Sequence, residues 1–138
     1  MDFSKKWLPL ESRLGKIIHR PILEIEFEEL KEKTFRFIVD SGADVSLAPR
    51  HISDELKLDW DNGIEVEMSG IAKKEECIVE GRIHDVDIII PDIKLKIRIP
   101  ICFAEGDAPF LLGREGFMDY FDVKFKKQEK ETIFELIK

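Results

Sequence analysis

Cysteine is scarce: Cys77 and Cys102 are the only two in 138 residues. That is too few for a disulfide scaffold, and neither has the CxxC or Cys/His neighbour of a metal site. They read as two separate thiols. The three histidines, His19, His51 and His84, lack H-x-x-x-H spacing and any accompanying carboxylate pattern, so no metal and no other cofactor is expected. No apolar run approaches the 18 residues of a membrane-crossing helix, and Met1 to Gly15 is charged throughout instead of carrying a signal peptide's apolar stretch. The expectation is a soluble cytoplasmic protein with no membrane partner. Blocks of like charge are missing as well, and a net charge of −7 offers no general attraction to phosphate backbones, so nucleic acid is not an expected partner. Internal repeats and low-complexity linkers are absent, and a chain of this length reads as one domain, 1–138, around one core.

Hydrophobic residues make up 43% and charged residues 37%, a mixture that contradicts intrinsic disorder. Ile22 to Phe27 alternates with period two, and Phe35 to Val39 is a second extended apolar segment, so the two should pair as a hairpin. Pro49 opens a short helical stretch through Leu56, with Ile52 and Leu56 four apart on one face. Ile64 to Met68 and Cys77 to Glu80 read as strands around the polar stretch Ser69 to Glu76, in the form of a projecting hairpin. Ile83 to Ile90 and Ile93 to Ile101 form another pair across the turn Pro91-Asp92. Arg114 to Phe121 reads as a helix with Phe117 over Phe121 as core residues, and Val123 to Phe125 and Thr132 to Ile137 as closing strands. Nine or so short strands with frequent turns predict an all-β barrel or sandwich with accessory helices.

The chemistry-bearing residues lie at two places where an apolar run meets glycine. Asp40, Ser41, Gly42 and Ala43 follow the strand ending at Val39. A carboxylate that activates water needs a low-dielectric setting, donors that orient it and a second carboxylate close enough that both cannot ionise together. The strand through Phe37, Ile38 and Val39 supplies the first, and Gly42 lets backbone approach closely enough to donate. The tetrad occurs once, so the second carboxylate has to come from another chain. A buried aspartate merely capping its own turn is the plainer alternative. Ser41 as a serine nucleophile is disfavoured, because its neighbours fit neither G-x-S-x-G nor Gly-Asp-Ser-Gly and no histidine is near in sequence.

Val39-Asp40-Ser41-Gly42-Ala43-Asp44, taken with Leu111-Leu112-Gly113-Arg114, resembles the paired signature of retropepsin-like aspartic peptidases, over about Pro21 to Phe125 with an extension at each end. The resemblance implies a closed acid-protease-like β-barrel with short accessory helices and one active-site half per protomer. It implies a homodimer in which each chain contributes Asp40, Ser41 links the two catalytic loops, and the Gly42 carbonyl faces the substrate backbone. Ala43 and Gly113 complete the loop and its brace, and Asp44 and Arg114 are expected to form a supporting ion pair. The substrate would be a peptide or protein. Gly70-Ile71-Ala72 aligns with the flap tip that closes over peptide in viral relatives, but Lys73, Lys74, Glu75 and Glu76 stand where further glycines occur. A solvated hairpin tip is an equal reading there, and a noncatalytic dimeric peptide-binding or assembly module is the alternative function. A monomer that dimerises only on binding substrate is a third possibility. The C-terminal strand either enters a dimer sheet or closes its own barrel.

Overall fold

In the computed structural model, which describes residues 2–12, 14–68 and 79–137, the period-two alternation resolves into twelve strands among the described residues. They are β1 (Asp2–Lys6), β2 (Leu8–Glu11), β3 (Ile17–Arg20), β4 (Ile22–Phe27), β5 (Phe35–Val39), β6 (Ser46–Pro49), β7 (Ile64–Met68), β8 (Val79–Ile90), β9 (Leu95–Ala104), β10 (Leu111–Leu112), β11 (Phe121–Lys126) and β12 (Glu131–Leu136), with one short helix, α1 (Arg50–Glu55), after β6. Strands β4, β5, β10, β6, β9 and β8 pair in that order, and β4 also pairs with β8, so six strands close a barrel; β7 is added outside on β8. No helix among the described residues is long and apolar enough to cross a membrane.

Side-chain alternation explains the closure. Leu23, Ile25 and Phe27 of β4, Phe37 of β5 and Ile97, Ile99, Ile101 and Phe103 of β9 point into one core with at most 5% exposure, while Glu24, Glu26, Lys96 and Arg98 face out. The expected hairpin of β4 and β5 forms with Ile22 opposite Ile38, and β8 pairs with β9 along ten positions. A second small cluster, Leu47, Cys102, Ala104 and Ala108, fills the other face of β6 and β9, so all four residues of β6 are buried.

Several expectations need correction. The helix over Arg114 to Phe121 shrinks to a single 3-10 turn, Phe117–Asp119, because Gly116 takes φ +86 and breaks any helical run; Phe121 already begins β11. Phe117 and Phe121 are nonetheless both buried, with ring centroids 5.2 Å apart. The break between Cys77–Glu80 and Ile83–Ile90 does not exist among the described residues: β8 runs through Gly81, which pairs with Val66 on one side and Ala104 on the other. Ile93 belongs to a turn, where Lys94 has φ +52, and β9 starts at Leu95. Pro49 ends β6 and caps α1 in extended conformation instead of lying inside the helix, although Ile52 and Leu56 are buried as expected. Strands β1, β2, β3, β6 and β10 went unread: the first three alternate only between exposed and half-exposed residues, β6 is too short and too evenly buried to alternate, and β10 is only two residues long.

Strand β12 does not line the barrel. It sits between β1 and β11 in a three-stranded sheet, paired on both edges within its own chain. An aromatic cluster fastens that sheet to the core: Phe3 stacks on Phe134 at 4.7 Å, and Phe134 meets Phe117 and Phe121 edge-on at 6.1 and 6.2 Å.

Cys102 is fully buried, and burial pushes its thiol up to about 11. The thiolate is the reactive form, so at pH 8 only about one in a thousand such groups is ionised. Iodoacetamide should therefore leave Cys102 unmodified in the native protein and label it in denaturant, as read by peptide mass mapping. Rapid native labelling would contradict the packing of β9.

Candidate active site

Asp40 lies where β5 leaves the core. The buried Phe37 and Val39 anchor the strand, and Val39 and Asp40 are held from both sides, their N–H groups donating to the carbonyls of Pro21 (2.8 Å) and Leu112 (2.9 Å). The chain then turns. The Gly42 N–H donates to the Asp40 Oδ1 at 2.8 Å, and the Ala43 N–H donates to the Asp40 carbonyl at 3.2 Å. Gly42 thus does what the sequence required of it, bringing a backbone donor onto the carboxylate. Asp40 is half-buried, whereas Ser41, Gly42 and Asp44 are exposed. The Ser41 hydroxyl makes no hydrogen bond to a described residue.

The segment Leu111-Leu112-Gly113-Arg114 packs directly against this turn. Strand β10 runs parallel to β5, with Leu111 beside Ile38 and Leu112 beside Val39, and antiparallel to β6 through Leu111 and Leu47. Beyond it the Arg114 N–H donates to the Ala43 carbonyl at 2.9 Å, and the Glu115 N–H donates to the Asp44 carbonyl at 2.8 Å. Two motifs seventy residues apart are thereby stitched into one loop, with the Arg114 guanidinium paired to the Asp44 carboxylate. Both side chains are well exposed, 58% and 80%, so the pair alone contributes under about 1 kcal/mol; the backbone bonds carry the brace.

Ser46 is a contributor that the sequence reading missed. Its hydroxyl, fully buried on β6, accepts the Gly113 N–H at 3.0 Å. Nothing local marks it, since a serine after valine carries no motif, and only the β6–β10 contact makes it a partner. Removing that acceptor leaves a buried N–H unsatisfied, so Ser46→Ala should cost about 1–2 kcal/mol in urea denaturation. An unchanged midpoint would mean the hydroxyl is dispensable.

A second group, also missed, surrounds the barrel end of the β7–β8 hairpin. The Arg50 guanidinium lies 3.9 Å from the Trp60 ring centroid, with Arg82 at 5.8 Å on the same ring. Arg82 donates through Nε and Nη2 to the Glu80 carboxylate at 3.1 and 2.8 Å, and this hydrogen bonding holds Glu80 below its usual range. Arg50 pairs in turn with Glu105. The hairpin's base is thus tied to α1 and to the loop after β9. The flap candidates Gly70, Ile71 and Ala72, with Lys73 to Glu76, lie outside the described residues.

A closed six-strand barrel in which an Asp-Ser-Gly turn is braced by an apolar-apolar-glycine strand is the retropepsin-like aspartic protease fold. The chain is similar to the crystal structure of a retropepsin-like aspartic protease from Rickettsia conorii, with a TM-score of 0.64 and 14% identity over 96% of this chain and 98% of that one. It is also similar to the EIAV protease complexed with the inhibitor HBY-793, with a TM-score of 0.49 and 22% identity over 80% of this chain and 93% of that one. No protein-family model matches the sequence, and neither does any curated protein. At such identities the likeness is one of fold.

Proposed function

We propose that the chain, as one domain, is a protomer of a homodimeric aspartic endopeptidase that cuts peptide or protein substrates with two copies of Asp40. The observation that carries this reading is the Asp40 turn itself: one carboxylate oxygen is held by the Gly42 N–H, the following residues are exposed, and the turn is braced from behind by β10. A retropepsin-like protease of similar fold supports it. Each chain has one such turn, so the exposed face of the loop is where a second copy has to meet it.

In that dimer the two carboxylates lie side by side and titrate as one coupled unit, one protonated and one ionised. The ionised member draws a proton from a water between them while the protonated member polarises the scissile carbonyl; the roles reverse as the amine leaves. The exposed Ser41 hydroxyl is free to bridge to the partner's loop. Asp44 and Arg114 hold the loop's far side, and Gly42 presents its carbonyl to the substrate backbone. The reaction takes place between two acids and water, and the activity profile against pH is bell-shaped. The compartment we propose is the cytoplasm.

The sequence of the flap favours one other reading. Lys73 to Glu76 in place of glycines suits a dimer that holds an extended peptide without turnover, by adding it as a strand. Mass-spectrometric cleavage profiling on a diverse peptide pool, wild type against Asp40→Asn, separates the two. Specific cuts made only by the wild type support the peptidase. Stoichiometric peptide binding without cuts, unchanged by the substitution, supports the module. Specific activity should also rise steeply with protein concentration in step with dimer formation measured by sedimentation, and activity from a species that stays monomeric would rule out a shared dyad.

A further inference from the structure

Among the described residues, strands β2 and β3 pair only with each other and stand outside both the barrel and the terminal sheet. The hairpin they form leads straight into the catalytic region, because the Pro21 carbonyl that follows β3 accepts the Val39 N–H one residue before Asp40. Between β3 and the turn joining β11 to β12 lies a cleft of about 410 Å³, whose walls include Trp7, Ile17, His19, Arg20, Lys127 and Lys130. Three cations line it and, among the described residues, no carboxylate does, in a chain of net charge −7.

The charges are also unspent. Arg20, Lys127 and Lys130 have no carboxylate partner among the described residues, a lack they share with Lys16, Arg36, Lys57, Lys94, Lys96 and Lys124; what sets the three apart is that one cleft gathers them. Glu129, in the same turn as the two lysines, is engaged by Lys126. The walls are built rather than loose. The Trp7 indole N–H donates to the buried Thr132 hydroxyl at 2.8 Å, the Trp7 backbone N–H donates to the Lys130 carbonyl at 2.8 Å, and Lys130 holds the turn with φ +51. The Lys127 ammonium sits 5.8 Å from the Trp7 ring, and Ile17, 72% exposed, gives the opposite wall an apolar surface.

We infer, on the basis of the peptidase reading, that this cleft is an exosite for a carboxylate-rich segment of the protein substrate flanking the scissile bond. Clustered like charges repel one another until an acid enters between them, and the indole and Ile17 take up the apolar part of the same segment. An anionic membrane is the competing ligand for such a patch. The concave shape, and a wall that includes Pro21, whose carbonyl accepts the Val39 N–H, favour a peptide.

Binding is measured on the Asp40→Asn protein with a labelled peptide of Asp and Glu residues around an apolar centre, against its Asn and Gln counterpart. The acidic peptide should bind about tenfold more tightly at low salt, with the advantage shrinking as salt rises. Lys127→Gln with Lys130→Gln should abolish that advantage, and Lys127→Arg with Lys130→Arg should restore it. Equal affinity for the two peptides, or an advantage that survives the double glutamine substitution, overturns the proposal. So does capture by phosphatidylserine vesicles, lost in the same double variant, without discrimination between the peptides. With wild type, kcat/KM for a substrate carrying the acidic extension should exceed that for its amide counterpart about tenfold, and the ratio should fall to one in the glutamine variant. Cleavage of both substrates at equal rates removes the exosite and leaves the peptidase standing. Cleavage of neither, with peptide discrimination intact, removes the peptidase reading and leaves an acidic-peptide site.

Discussion

Replacing Asp40 by Asn should lower peptide hydrolysis about 10⁴-fold, equivalent to about 5.5 kcal/mol of transition-state stabilisation, while leaving the fold unchanged. The two halves of that expectation have separate causes. The fold survives because the asparagine carbonyl oxygen can still accept the Gly42 N–H that the Asp40 Oδ1 accepts at 2.8 Å, and the Asp40 backbone bonds to Leu112 and Ala43 do not involve the side chain. In the proposed homodimer activity fails because an amide can neither hold nor release the shared proton, and both halves of the dyad carry the substitution. Steady-state kinetics on a cleaved peptide, alongside thermal denaturation, checks both. A variant that keeps a tenth of the wild-type rate sinks the mechanism, and cleavage identical to wild type points to a contaminating protease.

The second large effect is expected at Gly113. A Cβ added there would lie 2.6 Å from both the carbonyl carbon and oxygen of Val45 and 2.9 Å from the Ala43 carbonyl oxygen. All three are backbone atoms, so no side chain can swing aside. Nor can the loop retreat cheaply, since the same few residues carry the Gly113 bond to Ser46 and the Arg114 bond to Ala43. Overpacking of this kind costs about 3 kcal/mol, and for a chain of this length that lowers the Tm by roughly 10 °C. Gly113→Ala should therefore shift the urea midpoint well below that of Ser46→Ala, which removes only one of the bonds. It should also lower activity in the surviving folded fraction, because the brace sets where the Asp40 turn sits. A variant as stable as wild type would mean that the loop has slack the packing does not show.

Much of the site was legible because its signals are short in range. Period-two alternation exposed β4, which buries Leu23, Ile25 and Phe27 against the core, and an apolar run exposed β5; β7 alternates too, yet its Ile64 is 68% exposed and its Val66 only half-buried. The ion pair of Asp44 with Arg114 followed from the two motifs, and Ile52 and Leu56 of the short helix turned inward as their spacing required. The failures share a cause too. Gly81 reads as a break, yet pairing on both sides carries β8 straight through it. Phe117 and Phe121 have helical spacing, yet Gly116 at φ +86 and the start of β11 place both in the core by another route. In each case a tertiary partner overrode a local preference.

By itself, the sequence determined the all-β class, the Asp-Ser-Gly turn at the end of a buried strand, and the arithmetic of one acid per chain, because each is written in neighbouring residues. Only the tertiary structure decided that a two-residue strand, β10, would wedge between β5 and β6, that Ser46 would accept the Gly113 N–H, that β12 would be sealed between β1 and β11, and that three cations would gather beside Trp7. These depend on contacts between residues far apart along the chain, formed only after long loops have closed, and such contacts leave no periodic trace in the segments that make them.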